Sequence, residues 1–213
     1  MLSGGLDSAT CLYWARNRFR NISAITFNYF GRLEAEKRST RRLAKNAGTA
    51  RLIEVDVPFV KEASDFYNGR FRKSGADREG LLSSYVPARN MIFYSIAAHY
   101  AEFLDIRWIV GGHNRDDVQF FRDSSERYVQ KINELFEEGC QLCDGHAYRI
   151  LLPLAGMQRK EIVKLAIRLK TPVEMTWSCH TAGKIHCGRC YACKQRIDAF
   201  RALGLTDPAF KSS

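Results

Sequence analysis

The chain has 213 residues, 46% hydrophobic and 26% charged, which fits one domain with a substantial core. No apolar run approaches the ~20 residues that span a bilayer, and no basic-then-apolar leader opens the chain, so a cytoplasmic chain is expected, with its seven cysteines reduced or metal-bound. Basic residues exceed acidic ones 33 to 23, a net +10, but they are scattered; the densest stretch, 32–42, reads as a solvated helix face, and direct nucleic-acid binding is not expected.

In chain order, 7–19 reads as a helix and 22–29 as a β-rich strand. Residues 33–47 read as a charged amphipathic helix, stopped by Gly48. Residues 51–57 form a strand ended by Pro58, and 68–87 is polar and loop-like. A strongly periodic helix is expected over 89–104 and a buried strand over 106–112. A helix over 124–138, a short strand over 148–152, and helices over 158–169 and 191–203 complete the set. Strands alternating with helices of about a dozen residues indicate a parallel α/β sheet. In such sheets ligands sit beyond the carboxyl ends of the strands.

The string Ser3-Gly4-Gly5-Leu6-Asp7-Ser8 runs into the first helix. Its glycines allow close backbone approach to an anion, and the helix start offers free N–H groups and the positive dipole end. It is not a Walker loop, because the Gly-Lys-Ser/Thr ending is absent. Near the other end, Cys179, Cys187, Cys190 and Cys193 lie within one short segment. Gly188 permits the tight turn of a metal knuckle, and four thiolates make a closed structural zinc site. An iron–sulfur cluster is the rival occupant, and His180 or His186 could replace a sulfur ligand. Cys140 and Cys143 form a second two-residue-spaced pair, read as free thiols in a loop.

The Ser-Gly-Gly-x-Asp-Ser string resembles the PP-loop of the ATP-pyrophosphatase superfamily, whose members cleave ATP between its α and β phosphates. Within it, several motifs in order resemble 7-cyano-7-deazaguanine synthases. They are Phe27-Asn28-Tyr29 with Gly31-Arg32 and Glu36; Val86-Pro87-Ala88-Arg89-Asn90; Gly112-His113-Asn114 with Asp116-Asp117; Pro153-Leu154 followed by Lys160-Glu161-Ile162-Val163; and Thr176-Trp177-Ser178-Cys179 followed by the cysteine cluster and Arg196. The resemblance implies one PP-loop domain over 1–213 with a Rossmann-like (adenine nucleotide α hydrolase-like) sheet and a zinc-binding segment at about 176–203. It implies an ATP-dependent ligase that converts 7-carboxy-7-deazaguanine and ammonia to the nitrile through an adenylate, on the route to queuosine and archaeosine.

By the same resemblance, Ser3, Gly4, Gly5, Asp7 and Ser8 hold the ATP phosphates with Mg²⁺, and Leu2, Leu6, Ala9 and Thr10 complete the loop's nucleotide contacts. Asn28, Tyr29 and Asn90 flank the nucleotide. Asp7, Ser8, Arg89 and Lys160 are the expected catalytic set, and Asn114, Asp123 and Trp177 the expected deazapurine contacts. A homodimer without membrane association is implied. The chain departs from the family at Phe121-Arg122-Asp123-Ser124, where Tyr-Pro-Asp-Cys is usual, at Gly31, usually glutamine, and at Ala88, usually glycine. The altered segment 121–124 leaves one alternative, a specialised relative that attaches a deazapurine to another acceptor, and the +10 charge leaves another, a PP-loop tRNA-thiolating enzyme. Because phosphate loops of this kind follow a buried central strand, Met1-Leu2 is expected to be the end of one, with a short apolar run upstream.

Overall fold

The computed structural model describes residues 1–63, 65, 85–140 and 147–210. Most of the loop expected over 68–87 lies outside them, as does Cys143. The elements follow the expected order. Helix α1 (Leu6–Arg16) precedes strand β1 (Ser23–Asn28), helix α2 (Glu34–Ala47) and strand β2 (Arg51–Asp56). Helix α3 (Arg89–Phe103), strand β3 (Trp108–Val110), helix α4 (Glu126–Gly139) and strand β4 (Arg149–Leu151) come next, then helices α5 (Arg159–Arg168) and α6 (Tyr191–Arg201). Helix α1 stops short of residue 19 because the amides of Arg18 and Phe19 both donate to the carbonyl of Ala15 at 2.9 Å, which tightens the chain into a turn. Helix α2 ends where expected, at Gly48, whose φ of 68° is the left-handed cap that L side chains resist.

Both strand pairs are parallel. Strand β1 runs beside β2 in register from Ser23↔Arg51 to Asn28↔Asp56, and β3 beside β4 from Trp108↔Arg149 to Val110↔Leu151. Met1 and Leu2 lie between the pairs: the Leu2 amide donates to Ile25 O at 2.8 Å, and the Met1 amino group to Val110 O at 2.6 Å. The strand alternation then sorts side chains to two faces. Met1 and Ile25 pack with α3 and α4 around Tyr94, Ala98, Ile109 and Ile132. Leu2 and Ala24 pack with α1 and α2 around Leu12, Leu43 and Ala44. Helix α5 closes on α1 through Cys11, Ile162 and Leu165, and α6 on both through Leu6, Val163 and Phe200. Burying each such aliphatic side chain stabilises by about 1.5–3 kcal/mol. No helix among the described residues is long and apolar enough to cross a membrane.

This layering points the carboxyl ends of β1 and β3 and the amino end of α1 at one place. Cys140, at the end of α4, corrects one expectation: it is disulfide-bonded rather than a free thiol.

Candidate active site

The phosphate-type loop is built by its neighbours as much as by its own sequence. Gly4 has φ 95°, and a Cβ there would stand 2.7 Å from Glu36 O and 2.8 Å from Thr40 Oγ1, so only glycine fits. Its carbonyl accepts from Ser39 Oγ at 2.7 Å and from the Trp177 amide at 2.9 Å. Gly5 caps α1 in extended conformation with no side-chain cap, which leaves the first-turn amides open to an anion. Ser3 Oγ and Ser8 Oγ, expected as ligand donors, bond each other at 3.0 Å, and Ser8 Oγ also donates to Gly5 O at 3.0 Å.

Beside the helix start lies a cavity of about 480 Å³. Its polar wall carries Asp7, His113, Asp117 and Arg159. Asp7 Oδ2 accepts from Asn114 Nδ2 at 2.8 Å and lies 3.9 Å from Arg159 NH1. Burial pushes the Asp7 carboxyl above its ordinary range, against the pull of the Arg159 charge and the Asn114 bond. Asp117 is raised to about 6, first by burial and then by the Asp7 charge; its Oδ2 accepts from the Asn114 amide at 3.1 Å. His113 is lowered to about 4, by burial and then by the Arg89 charge, so its imidazole is neutral at pH 7. Among the described residues, four atoms of the cavity lining are buried without a hydrogen-bond partner: Asp7 Oδ1, Thr26 Oγ1, His113 Nε2 and Arg159 Nε. Buried polar atoms are seldom left so, and a cluster of them in one cavity marks where a polar ligand completes the set.

Another part of the lining is aromatic. Phe27 and Phe93 stack with centroids 4.1 Å apart, Tyr29 lies 5.8 Å from Phe93, and the Arg89 guanidinium sits 5.5 Å from the Phe121 ring. Arg89 and Asn90 open α3, and the buried Asn90 donates to Ser124 Oγ at 3.3 Å. Ala88, the capping residue just before them, has φ 51°. That left-handed conformation costs an L residue about 1–2 kcal/mol and nothing in glycine.

Of the residues singled out from sequence, Leu2, Ser3, Gly5, Leu6, Asp7, Ser8, Tyr29, Arg89, Asn90 and Trp177 line this cavity. Others do not. Ala9 and Thr10 are fully buried inside α1, and Thr10 Oγ1 donates to Leu6 O at 2.8 Å. Asn28 turns away to donate to Asp56 Oδ1 at 3.0 Å. Asn114, fully buried, holds Asp7 and, through its Oδ1, the amides of Asp116 and Asp117 at 2.8 and 3.1 Å. Asp123 lies on the short turn Arg122–Ser124, off the cavity wall. Lys160 is exposed on α5, and its neighbour Arg159 takes the place in the wall. One residue is about 100° of helix, so choosing between adjacent basic residues requires the phase of α5, which its capping box from Gln158 to Glu161 sets.

The four cysteines meet as expected. All their sulfurs lie within 4.8 Å of one another, with Cys187 to Cys193 at 3.9 Å and Cys190 to Cys179 at 4.0 Å. A tetrahedron with metal–sulfur bonds of about 2.3 Å has edges of about 3.8 Å, so the set fits a metal ion. Amides of Thr181 and Cys187 donate to Cys179 Sγ at 3.3 and 3.4 Å, and that of Cys190 to Cys187 Sγ at 3.3 Å, the second layer that orients thiolate ligands. His186 is engaged elsewhere: Nε2 accepts from the Ser178 amide at 3.1 Å, and the ring packs 4.4 Å from Trp177. Behind both stands Arg196, fully buried, which the sequence offers only as a motif match.

Residues 1–204 match the family model described as queuosine biosynthesis protein QueC. The 7-cyano-7-deazaguanine synthase of Thermoplasma volcanium is 33% identical over 211 residues, covering 98% of this chain and 88% of that protein. The enzyme of the same name from Trichodesmium erythraeum is 35% identical over 215 residues, covering 98% and 97%. Among solved structures, NMN synthetase from Francisella tularensis aligns with 96% of this chain and 76% of its own at 14% identity and a TM-score of 0.47, too loose a likeness to carry an argument. With a whole-length family match and relatives of one name covering nearly all of both chains, the chain belongs to the QueC family of 7-cyano-7-deazaguanine synthases, ATP-dependent ligases of queuosine precursor biosynthesis.

Proposed function

We propose that this cavity activates 7-carboxy-7-deazaguanine with ATP and delivers it to ammonia. The observation that carries the reading is the pairing of two unlike walls in one cavity. An uncapped helix start beside Asp7 and Arg159, each with a buried atom unpartnered among the described residues, shares the cavity with stacked aromatic rings. The first wall suits a polyphosphate and the second a flat heterocycle.

In this reading the α1 amides and Arg159 take the β and γ phosphates, so that charge appearing on the departing pyrophosphate meets fixed donors. The substrate carboxylate attacks the α phosphorus, the bond to the bridging oxygen breaks, and an acyl adenylate forms. Ammonia then adds at the acyl carbon and AMP leaves, giving the amide. A second ATP activates the amide oxygen, and its loss with two protons leaves the nitrile. Arg89, near the Phe121 ring, faces the carboxylate, and neutral His113 avoids adding a second cation there. Asp7 and Asp117 would hold Mg²⁺, which supplies charge neutralisation between the phosphates; the free Oδ1 of Asp7 is the observation that favours this. Asn114 is a positioning residue that aims Asp7. The cysteine tetrahedron is read as zinc, closed and structural, and as an integral part of one domain, because Ser178 and Tyr191 beside its ligands also line the cavity.

The test is incubation with ATP, ammonium and 7-carboxy-7-deazaguanine, read by mass spectrometry. The expected products are 7-cyano-7-deazaguanine, AMP and pyrophosphate. Intact ATP and unchanged carboxylate under these conditions would overturn the reading.

A further inference from the structure

We infer that Arg32 is the positioning residue that sets the shape of the phosphate loop; the inference rests on that loop being the ATP site. Its guanidinium makes four bonds to three elements. NH1 donates to Phe27 O at 2.8 Å and to Asn28 Oδ1 at 3.0 Å, both at the carboxyl end of β1. NH2 donates to Thr40 Oγ1 of α2 at 2.8 Å and to Ser3 O, in the loop itself, at 3.3 Å. One planar cation thus fixes the distance between strand end, loop and helix. A lysine cannot do this, because its ammonium is a single point rather than a fork.

The local chain is shaped to deliver the group there. Arg32 follows a tight turn in which its amide donates to Tyr29 O at 3.3 Å, and Gly31 takes φ 76° within it. A Cβ at Gly31 would meet nothing within 4 Å, so the glycine is required by backbone conformation and not by space. The departure from the usual glutamine therefore has a physical reading: it eases the turn that folds Arg32 back over β1. The helix side of the clamp is equally specific. Thr40 Oγ1, which accepts from Arg32, also stands 2.8 Å from where a Gly4 Cβ would be, so Arg32 holds the atom against which the loop is pressed. Burial lowers the Arg32 pKa, opposed next by the Glu36 carboxylate. Arg32 also lines the cavity, where its charge adds positive potential.

The consequence is selective. Losing the clamp loosens the amides that meet the phosphates while leaving the aromatic wall in place. Three variants test it, Arg32→Lys, Arg32→Gln and Arg32→Ala, each measured by calorimetric ATP binding, melting temperature and the Michaelis constants for ATP and 7-carboxy-7-deazaguanine. Arg32→Lys and Arg32→Ala are expected to weaken ATP about tenfold or more, as the loss of charge-assisted bonds to the loop implies. The deazapurine constant should stay within about twofold. Added guanidinium should restore ATP binding to Arg32→Ala but not to Arg32→Lys, whose side chain fills the slot. ATP binding within about twofold of wild type in a folded Arg32→Lys or Arg32→Gln protein would overturn the inference, as would equal loss for both substrates. If the wild type binds ATP but does not turn over the deazapurine, the proposed function fails while calorimetry still decides the role of Arg32.

Discussion

Removing the Asp207 carboxylate should cost more than any surface change, because of what it leaves behind. Arg196 and Asp207 have side chains 1% and 3% exposed and pair through Nε to Oδ2 at 2.5 Å and NH2 to Oδ1 at 3.1 Å. The remaining guanidinium hydrogens go to Thr176 Oγ1 at 2.5 Å, Ser178 Oγ at 3.2 Å and Val173 O at 2.8 Å. With its donors satisfied, the buried cation is tolerated. Asp207→Ala leaves it uncompensated, and losing one partner of a buried pair costs about 3–5 kcal/mol out of a domain total of about 5–15. For a chain of this size that is a fall in Tm of roughly 6–20 °C. Urea unfolding and thermal melts of the metal-loaded protein measure it. The double variant Asp207→Leu with Arg196→Met should recover most of the loss, because apolar side chains of similar volume often replace a buried pair at little cost. A cost below about 1 kcal/mol for Asp207→Ala, or a double variant as unstable as the sum of the singles, would refute the reasoning.

Asp7→Asn is expected to abolish turnover while the melting temperature stays near wild type; near-normal activity would remove Asp7 from the phosphate site. Arg159→Ala should raise the Kd for ATP by about tenfold or more, as loss of a charge-assisted contact predicts, whereas Lys160→Ala should leave it unchanged; the reverse ranking in calorimetry would place Lys160 at the phosphates after all. Metal analysis should find one zinc per chain and no iron, and Cys190→Ser should lower stability sharply; a metal-free wild type of equal stability would contradict this. Asp117 provides a pH test. Its pKa in the fold, about 6, lies above the ordinary 3.8, so the folded chain binds the extra proton and stability rises as pH falls from about 6 towards 4. Asp117→Asn should therefore be more stable than wild type above pH 6, by on the order of 2–3 kcal/mol, with the difference vanishing below about pH 4. Melting curves across that range decide it, and a constant difference would show that titration of Asp117 is not its source.

What the sequence disclosed was whatever depends on local order. The parallel α/β alternation, the loop at 3–8 and the cysteine cluster are contiguous strings whose chemistry follows from spacing. The strands proved shorter than their apolar runs: β3 is Trp108–Val110 within an expected 106–112. Cross-strand bonds continue past both ends, from the Arg149 amide to Arg107 O at 2.8 Å and from the Gly111 amide to Leu151 O at 2.9 Å, but regular pairing covers only the three residues between. Roles that depend on direction were hidden. Asn114 and Arg196 are polar residues in recognisable motifs, and nothing in spacing says that one braces Asp7 and the other holds Thr176 and Ser178 on either side of Trp177.

The hidden parts share a physical origin. Parts of the site are held by partners distant in sequence: Asp7 by Asn114 and Arg159, Gly4 by Ser39 and Trp177, the loop carbonyl of Ser3 by Arg32. A loop of glycines and serines has little shape of its own, since glycine pays the largest backbone entropy on ordering. Its shape must therefore come from groups that press on it from outside. Here those groups are α2 on one side and the irregular segment that carries Trp177 on the other, and that segment is in turn held by Arg196, through Thr176 and Ser178, and by the cysteine cluster. The cysteine segment and the loop at 3–8, far apart in sequence, are then one mechanical unit. A change at Asp207 should reach ATP through Arg196, Ser178 and Trp177 without touching the nucleotide. Loss of ATP affinity in a folded Asp207→Asn protein, at unchanged metal content, is the outcome this coupling requires.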